Sequence, residues 1–315
     1  MELTQLATFV AVAETGSFSR AAERLFTTQP AISKRVAALE DELGVRLLDR
    51  SGRGVLTTEA GEVLLGRARR VLEELDDARE AVRSLSGEVS GSLRLATSHH
   101  VGIHRLPPVL KAFAQAHPGV ELDLVFLDSE RACADVAEGR LEFAVVTLPE
   151  RPDPTLETRL VWPDPLAIVA ATDHPLAEAG EIEPARLGEY PAVLPGRGTV
   201  TRTILLDALV PFGVAPRTRL ETNYLETIRT MVSVGLGWSV LPVSMLEPGA
   251  GDVRAVPVRG LAMGRRLGWV RRRDRTARRV ATAFAAMLDA MAPAPATPDV
   301  AATPDAPSGG SRAAQ

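Results

Sequence analysis

The sequence predicts an all-α N-terminal domain, then a long helix, then a larger α/β domain. Three observations predict this order: helical spacing of apolar residues up to residue 60, a heptad pattern over residues 64–85, and alternating strand-like and helical runs from residue 91 onwards. The 315 residues carry a net charge of −4, which excludes a uniformly basic nucleic-acid binder but leaves room for a local basic surface.

The first 60 residues predict three short helices and a hairpin. The first helix ends at Gly16, and Ser17 or a serine two residues later can cap the second. The third helix carries Pro30 in its first turn, where the missing N–H costs nothing, and ends at Gly44. Two short extended runs around the glycine-rich tip at residues 51–54 then predict a wing.

The second and third helices, joined by a short turn, predict a helix-turn-helix motif. A recognition helix reads bases from its N-terminal half, glutamine can bond adenine bidentately, and arginine can bind phosphate or enter the minor groove. We therefore expect DNA contacts from Ser17, Arg20, Thr27, Thr28, Gln29, Pro30, Ser33, Lys34, Arg35, Arg50 and Arg53. A plain three-helix bundle with a polar surface is the alternative that the pattern leaves open.

Residues 59–88 predict a helix that joins two subunits. Its apolar positions alternate at spacings of four and three, the period of a coiled-coil seam. The seam consists of Leu64, Ala68, Val71, Leu75, Ala78, Val82 and Leu85. The alternative is an amphipathic helix packed on its own domain.

Beyond this helix the runs alternate as expected for βαβ units, and the chain ends in a tail. Residues 293–315 hold five prolines and seven alanines, so we expect them to be disordered. The single cysteine, Cys133, excludes an intramolecular disulfide and a cysteine-rich metal cluster. With no signal peptide and no run of about 18 apolar residues, we expect a cytoplasmic protein that does not contact membranes.

Specific motifs in the chain resemble the LysR-type transcriptional regulators. In the N-terminal domain the motifs are Phe9, Gly16-Ser17-Phe18, Ala21-Ala22, Gln29-Pro30-Ala31-Ile32-Ser33, Leu39-Glu40, Leu43-Gly44 and Leu47-Leu48-Asp49-Arg50. The later ones include Leu106-Pro107, His117-Pro118-Gly119-Val120, Gly139-Arg140-Leu141-Glu142, Asp164-Pro165-Leu166 and Val234-Gly235-Leu236-Gly237. Small departures are Thr27-Thr28, Leu48, Glu142 and Trp238.

The resemblance implies a periplasmic-binding-protein-like effector domain, with two α/β lobes around a small-molecule cleft. It implies a DNA-binding domain at 1–58, a linker helix at 59–88 and an effector domain at 89–292. Lobe I would span about 91–161 and 267–292, and lobe II about 162–266. It also implies an imperfectly palindromic DNA site, dimers that form tetramers, and RNA polymerase as a further partner.

The loops that the resemblance assigns to the effector carry hydroxyl, imidazole and amide groups. Such groups, with the free N–H groups of a helix N-terminus, suit an organic anion. The implied effector contacts are Thr97, Ser98, His99, His100, Asp128, Ser129, Thr147, Gly196, Thr199, Thr201, Arg202 and Asn223. For the serines and threonines, helix capping is the alternative role.

Three further features leave alternatives open. The pair His100 and His104 has a spacing that suits a metal on a helix, but we expect no metal and no cofactor, with effector contact or packing as the role of these histidines. Cys133 lies in a helical run as a small hydrophobic residue, with redox sensing as the alternative. The eight arginines between Arg265 and Arg279 predict a solvated edge rather than a second DNA site.

The remaining function classes are an enzyme and a solute-binding protein. The chain contains no nucleophile elbow, phosphate-binding loop, zinc-protease motif or dinucleotide-binding glycine motif after a strand, so we expect no catalytic residues. The absence of a signal peptide and the helix-turn-helix pattern argue against a pure solute-binding protein. The sequence therefore favours a DNA-binding regulator that responds to a small molecule.

Overall fold

The computed structural model describes residues 1–49, 54–83, 89–246, 251–275 and 277–293. Arg50, Arg53, Leu85 and the predicted tail beyond residue 293 lie outside the described residues, as does the side chain of Val82. Within the described part of the chain, no helix combines the length and the apolar character that crossing a bilayer requires.

The N-terminal domain is built from three helices and a small hairpin. Its helices are α1 (Leu3–Thr15), α2 (Phe18–Arg24) and α3 (Gln29–Leu43), and strands β1 (Leu48–Asp49) and β2 (Leu56–Thr57) pair in antiparallel fashion. The left-handed residues Gly16 and Gly44 end α1 and α3, as the sequence predicts. The Ser17 hydroxyl caps α2 by accepting a hydrogen bond from the backbone N–H of Arg20.

Helix α4 (Glu59–Arg83) follows the hairpin and packs first on its own domain. Ala68 is buried, and Leu64 packs against the core that α1, α2 and α3 share. The first two positions of the predicted seam therefore pack within their own domain and do not face a second subunit, which corrects the prediction. Apolar residues on neighbouring faces of α4 also enter that core. The seam becomes accessible only later, where Val71 is 44% exposed and forms a shallow groove with Leu75 and Ala78.

The C-terminal part contains a seven-stranded mixed sheet. Its strands are β3 (Gly91–Thr97), β4 (Val120–Phe126), β5 (Phe143–Thr147), β6 (Leu156–Ala171), β9 (Ser239–Pro242), β10 (Val253–Ala255) and β11 (Met263–Arg272). The order is β10-β6-β11-β5-β3-β4, with β9 also paired to β6. Strand β3 runs parallel to β4 and β5, whereas β11 runs antiparallel to β5 and β6.

Two long strands join two separate hydrophobic cores. The beginning of β6 and the end of β11 contribute Trp162 and Trp269 to one core. The other halves of the same strands carry Ile168 and Met263 into a second core. We call the part around the first core lobe I and the part around the second lobe II, so the two lobes are connected by β6 and β11.

Helices cover both lobes. Lobe I carries α5 (His99–His104), α6 (Leu106–Ala116), α7 (Ser129–Ala137) and the C-terminal α11 (Arg279–Ala290). Lobe II carries α8 (Pro175–Glu178), α9 (Val200–Leu209) and α10 (Leu225–Ser233), with a parallel pair β7 (Pro191–Leu194) and β8 (Arg217–Glu221). The loops that follow the C-terminal ends of β3, β4 and β5 in lobe I therefore lie opposite the N-terminal ends of α9 and α10.

Candidate DNA-binding surface and effector cleft

Helix α3 presents a polar face away from the core of its domain. Ile32, Val36 and Leu39 are fully buried, so the residues between them face solvent. The predicted DNA contacts in this region are all accessible to solvent. Ser17, Thr27 and Ser33 are half-exposed, and the fully exposed ones are Arg20, Thr28, Gln29, Pro30, Lys34 and Arg35. The spacing of four residues places Gln29 and Ser33 on the same face of the helix.

The turn before α3 carries a residue that the sequence reasoning missed. Phe26 is 98% exposed and adopts a backbone φ of 48°, a value that residues other than glycine rarely adopt. It lies beside Thr27 and Thr28 at the N-terminal end of the recognition helix. The motif pattern gave no signal for it, because an aromatic residue is usually read as core.

A cavity of about 450 Å³ lies between the two lobes. Nine of the predicted effector residues line it: Ser98, His99, His100, Asp128, Ser129, Thr147, Thr199, Thr201 and Asn223. The loops after β3, β4 and β5 supply the lobe I side, and the N-termini of α9 and α10 supply the lobe II side. The chain thus has a cleft at the position where parallel strands end, the usual location of a ligand in such sheets.

Three predicted effector residues do not line the cleft. The Thr97 hydroxyl points into the sheet and donates to the carbonyl of Val145 at 2.8 Å. Gly196 places its backbone against the Asn223 side chain, and its N–H donates to that amide oxygen at 2.9 Å. Arg202 is buried below the cleft in an ion pair with Glu221 at 2.8 Å. All three have structural roles next to the site rather than in it.

A buried arginine lines the cleft. Arg265 is 6% exposed; its Nε donates to Asp164 at 2.8 Å and its Nη1 donates to the Thr201 hydroxyl at 3.0 Å. Its Nη2 is buried and has no hydrogen-bond partner among the residues that the structure describes. The sequence reasoning placed Arg265 in a solvated cluster, and this is wrong for Arg265 because β11 turns its side chain between the lobes. Other members of that cluster are paired at the surface, such as Arg271 with Glu157.

His100 is the second buried polar group of the cleft. The side chain is 4% exposed, and neither ring nitrogen has a hydrogen-bond partner in the part of the chain that the structure describes. Burial, and then the charge of Arg265, lower the pKa of His100 to about 4, so its imidazole is neutral at physiological pH. Buried polar atoms without partners are uncommon in folded proteins, and a bound ligand, ion or water is one explanation for them.

An aromatic wall closes one side of the cleft. The ring of His99 meets the edges of Phe126 and Tyr224, with centroid distances of 5.9 Å and 5.2 Å. Phe126 and Tyr224 are half-exposed, and neither was predicted as an effector residue. Aliphatic and aromatic walls with a few fixed polar groups are typical of small-molecule sites.

Hydrogen bonds from lobe I to lobe II cross the cleft. The Glu130 carboxylate accepts from the backbone N–H of Val200, in the first turn of α9, at 2.7 Å. The Asn223 amide donates to the Asp128 carboxylate at 2.8 Å. A carboxylate of the protein itself therefore occupies the positive end of α9, where an anionic ligand would bind.

Comparisons with known proteins bear on both regions. The bacterial regulatory helix-turn-helix model of the lysR family matches residues 3–62, and the LysR substrate binding domain model matches residues 86–293. The chain belongs to the LysR family of transcriptional regulators. It is a DNA-binding regulator with an effector-binding domain, and its relatives are named as regulators rather than as enzymes.

Relatives of this LysR regulator cover most of its length. It is 34% identical to the transcriptional regulator YnfL of Escherichia coli over 261 residues, 82% of this chain and 88% of YnfL. It is 32% identical to the regulator CbbR of Rhodospirillum rubrum over 292 residues, 92% of this chain and 96% of CbbR. A full-length OxyR variant from Pseudomonas aeruginosa superposes with a TM-score of 0.73 at 27% identity, covering 91% of this chain and 94% of that one.

Proposed function

We propose that this LysR regulator changes its binding to operator DNA when a small organic anion enters the cleft between the lobes. The observation that carries the proposal is Arg265, which lines the cleft and whose buried Nη2 has no hydrogen-bond partner among the described residues. A buried guanidinium donor pairs most favourably with a carboxylate or phosphate. The free hydroxyl proton of Thr201 and the N-terminus of α9 supply further donors.

In this proposal the effector anion displaces the Glu130 carboxylate from the N-terminus of α9. The displacement breaks one of the hydrogen bonds that cross the cleft. In the proposal, the effector therefore has a different affinity for lobes with this bond intact and for lobes with it broken. A ligand shifts a conformational equilibrium only through such a difference. The aromatic wall formed by His99, Phe126 and Tyr224 would bind the apolar part of the effector.

DNA contacts are proposed for the exposed face of α3, the turn before it and Arg20. Gln29 and Ser33 would contact base edges, and Lys34 and Arg35 would contact phosphates. The wing residues Arg50 and Arg53 are proposed as additional phosphate or minor-groove contacts from the sequence alone. The proposed domains are the DNA-binding domain at 1–58, the linker helix at 59–88 and the effector domain at 89–292.

Self-association is proposed through the accessible part of α4, with Val71, Leu75 and Ala78 facing a second copy. Two copies would present two recognition helices to two half-sites of an imperfect palindrome. Further association into a tetramer and contact with RNA polymerase are proposals that rest on the family resemblance. The cytoplasm is the proposed location.

Gel-shift titration on DNA upstream of the protein's own gene tests the DNA-binding part. Replacing Gln29 or Ser33 by alanine should weaken binding to that DNA by about 5- to 100-fold, because each loses base contacts. Binding to random DNA should change little. Gln115→Ala, on the exposed face of α6, is the matched control. Equal losses on both DNAs would refute the base-reading role.

A thermal-shift screen of small organic anions tests the effector part. An anion that binds the folded protein raises its unfolding temperature by mass action. Thr201→Val removes the hydroxyl that faces the cleft and should abolish this shift while leaving the gel shift intact. Thr203→Val, on the outer face of the same helix, is the control. A stabilising anion with equal effect on wild type and Thr201→Val would place the effector elsewhere.

A further inference from the structure

Metal-ligating atoms from both lobes meet beside the cleft. His100 and His104 lie on α5 of lobe I, and Glu226 lies in the first turn of α10 of lobe II. One ligand atom from each of the three lies within 4.8 Å of the other two. We propose that these residues form a binding site for a divalent transition-metal ion, with Zn²⁺ as the best match, that connects the two lobes.

The backbone places the three side chains for this role. His100 and His104 are four residues apart on one helix, so their rings lie on the same face with centroids 4.8 Å apart. The Nε2 atom of His104 lies 2.9 Å from the Oε1 atom of Glu226. Ligands about 2.0–2.1 Å from a tetrahedral zinc ion are about 3.3 Å apart, so small rotations of these side chains complete the geometry.

The unfilled hydrogen-bonding capacity of the cluster points to a ligand. Both ring nitrogens of His100 and the Oε2 atom of Glu226 are buried, and no described residue offers them a hydrogen bond. The unprotonated ring nitrogen of His100 and the carboxylate oxygen carry the lone pairs that a metal ion needs, so coordination satisfies both together. Packing alone gives no reason for a carboxylate oxygen and an imidazole to remain unpaired at the same place.

Two arginines lie near the site and would repel a cation, but nearby carboxylates balance their charge. Arg105 and Arg265 both pair with the buried carboxylate of Asp164, at 3.0 Å and 2.8 Å. Asp164 cancels one of the two positive charges, and the carboxylate of Glu226 cancels the other. The metal therefore enters a region with no net charge.

The ligand set determines which metal fits and what it can do. Two imidazoles and one carboxylate suit zinc, nickel or cobalt rather than calcium or magnesium, which prefer oxygen ligands. Three protein ligands leave one coordination position open for water or for a carboxylate. His104 and Glu226 are each more than a third exposed, so the ion can enter from solvent. Bound metal would hold α10 against α5 and thus favour the arrangement of the lobes seen in this structure.

Isothermal titration of the untagged, full-length protein with ZnCl₂ tests the site without DNA or effector. We expect one tight site per chain in the wild type. Glu226→Gln keeps the size and a hydrogen-bond acceptor for His104 but removes the charged ligand, and should weaken binding at least about tenfold. His104→Gln should do the same. His117→Gln, a half-exposed histidine on the far end of α6, is the matched control and should bind zinc as the wild type does.

Cobalt binding gives a second readout. Co²⁺ in place of Zn²⁺ should produce the visible absorption of a tetrahedral site in the wild type and His117→Gln, and not in Glu226→Gln. Absence of a stoichiometric site in the wild type, or wild-type zinc affinity in both Glu226→Gln and His104→Gln, would overturn the metal site. Because neither titration involves DNA, either result leaves the proposed effector-controlled DNA binding to be judged by its own assays.

Discussion

The buried carboxylate of Asp164 connects the two lobes, and its removal should destabilise the effector domain. Its Oδ1 accepts from Arg105 at 3.0 Å and its Oδ2 accepts from Arg265 at 2.8 Å, with no side-chain exposure to solvent. Asp164→Asn keeps the shape but leaves two arginines facing an uncharged amide that can accept from only one of them. Breaking a buried ion pair from one side costs about 3–5 kcal/mol.

This cost converts into a temperature shift that is easy to measure. For a domain of this size, each kcal/mol lowers the unfolding midpoint by about 2–4 °C, so Asp164→Asn should lower it by about 10 °C. Circular dichroism during heating, with urea titration as a second measurement, gives the midpoint. The matched control is Glu181→Gln, which weakens the exposed Glu181–Arg259 pair and should leave the midpoint nearly unchanged. A midpoint within about 2 °C of the wild type in Asp164→Asn would refute the reasoning.

Three further predictions concern packing, reactivity and assembly. Gly268→Ala would push a methyl group into a backbone carbonyl of the paired strand and should cost about 3 kcal/mol or more in urea unfolding, whereas Gly188→Ala meets open space and should be neutral. Burial raises the pKa of the Cys133 thiol to about 11, so at pH 8 iodoacetamide should modify the native chain roughly a hundredfold more slowly than the denatured chain; equal rates would contradict the burial. Leu75→Asp should lower the mass measured by analytical ultracentrifugation while leaving the fold intact. Ala68→Asp, at a buried position of the same helix, should unfold the N-terminal domain. A folded Leu75→Asp protein of wild-type mass would show that α4 does not form the interface between subunits.

Local signals in the sequence were sufficient for the N-terminal domain. Gly16 and Gly44 end helices because the left-handed conformation they adopt favours glycine, and Pro30 lies in the first turn of α3. Most of the residues proposed to contact DNA follow from their position on α3 or in the turn before it. These features depend on neighbouring residues only, which is why a pattern could predict them.

The extent of β6 was harder to predict, because two prolines lie in its middle. Pro163 and Pro165 suggest a break, yet the strand continues from Leu156 to Ala171. At these two positions β6 pairs with β11 alone, so its other side has no ladder hydrogen bond to lose. The gap between the lobes is what permits the prolines, and only the tertiary structure reveals it.

The cleft was predictable in outline, and its charged centre was not. The family resemblance pointed to Ser98, Thr147 and Thr201, which do line the cavity. Arg265 was missed because its neighbours along the chain are surface arginines, and nothing in the local pattern distinguishes the one that β11 turns inward. Glu226 was missed because it meets His104 across 122 residues of sequence, and no local pattern links the two.

Footprinting on the upstream DNA, with and without an anion that stabilises the protein, tests effector-controlled DNA binding most directly. We predict two protected half-sites about one helical turn apart, and a change in their affinity or spacing when the anion is added to the wild type. Thr201→Val should give the same starting footprint and no response. A footprint that no stabilising anion alters, or one that responds equally in Thr201→Val, would contradict the account.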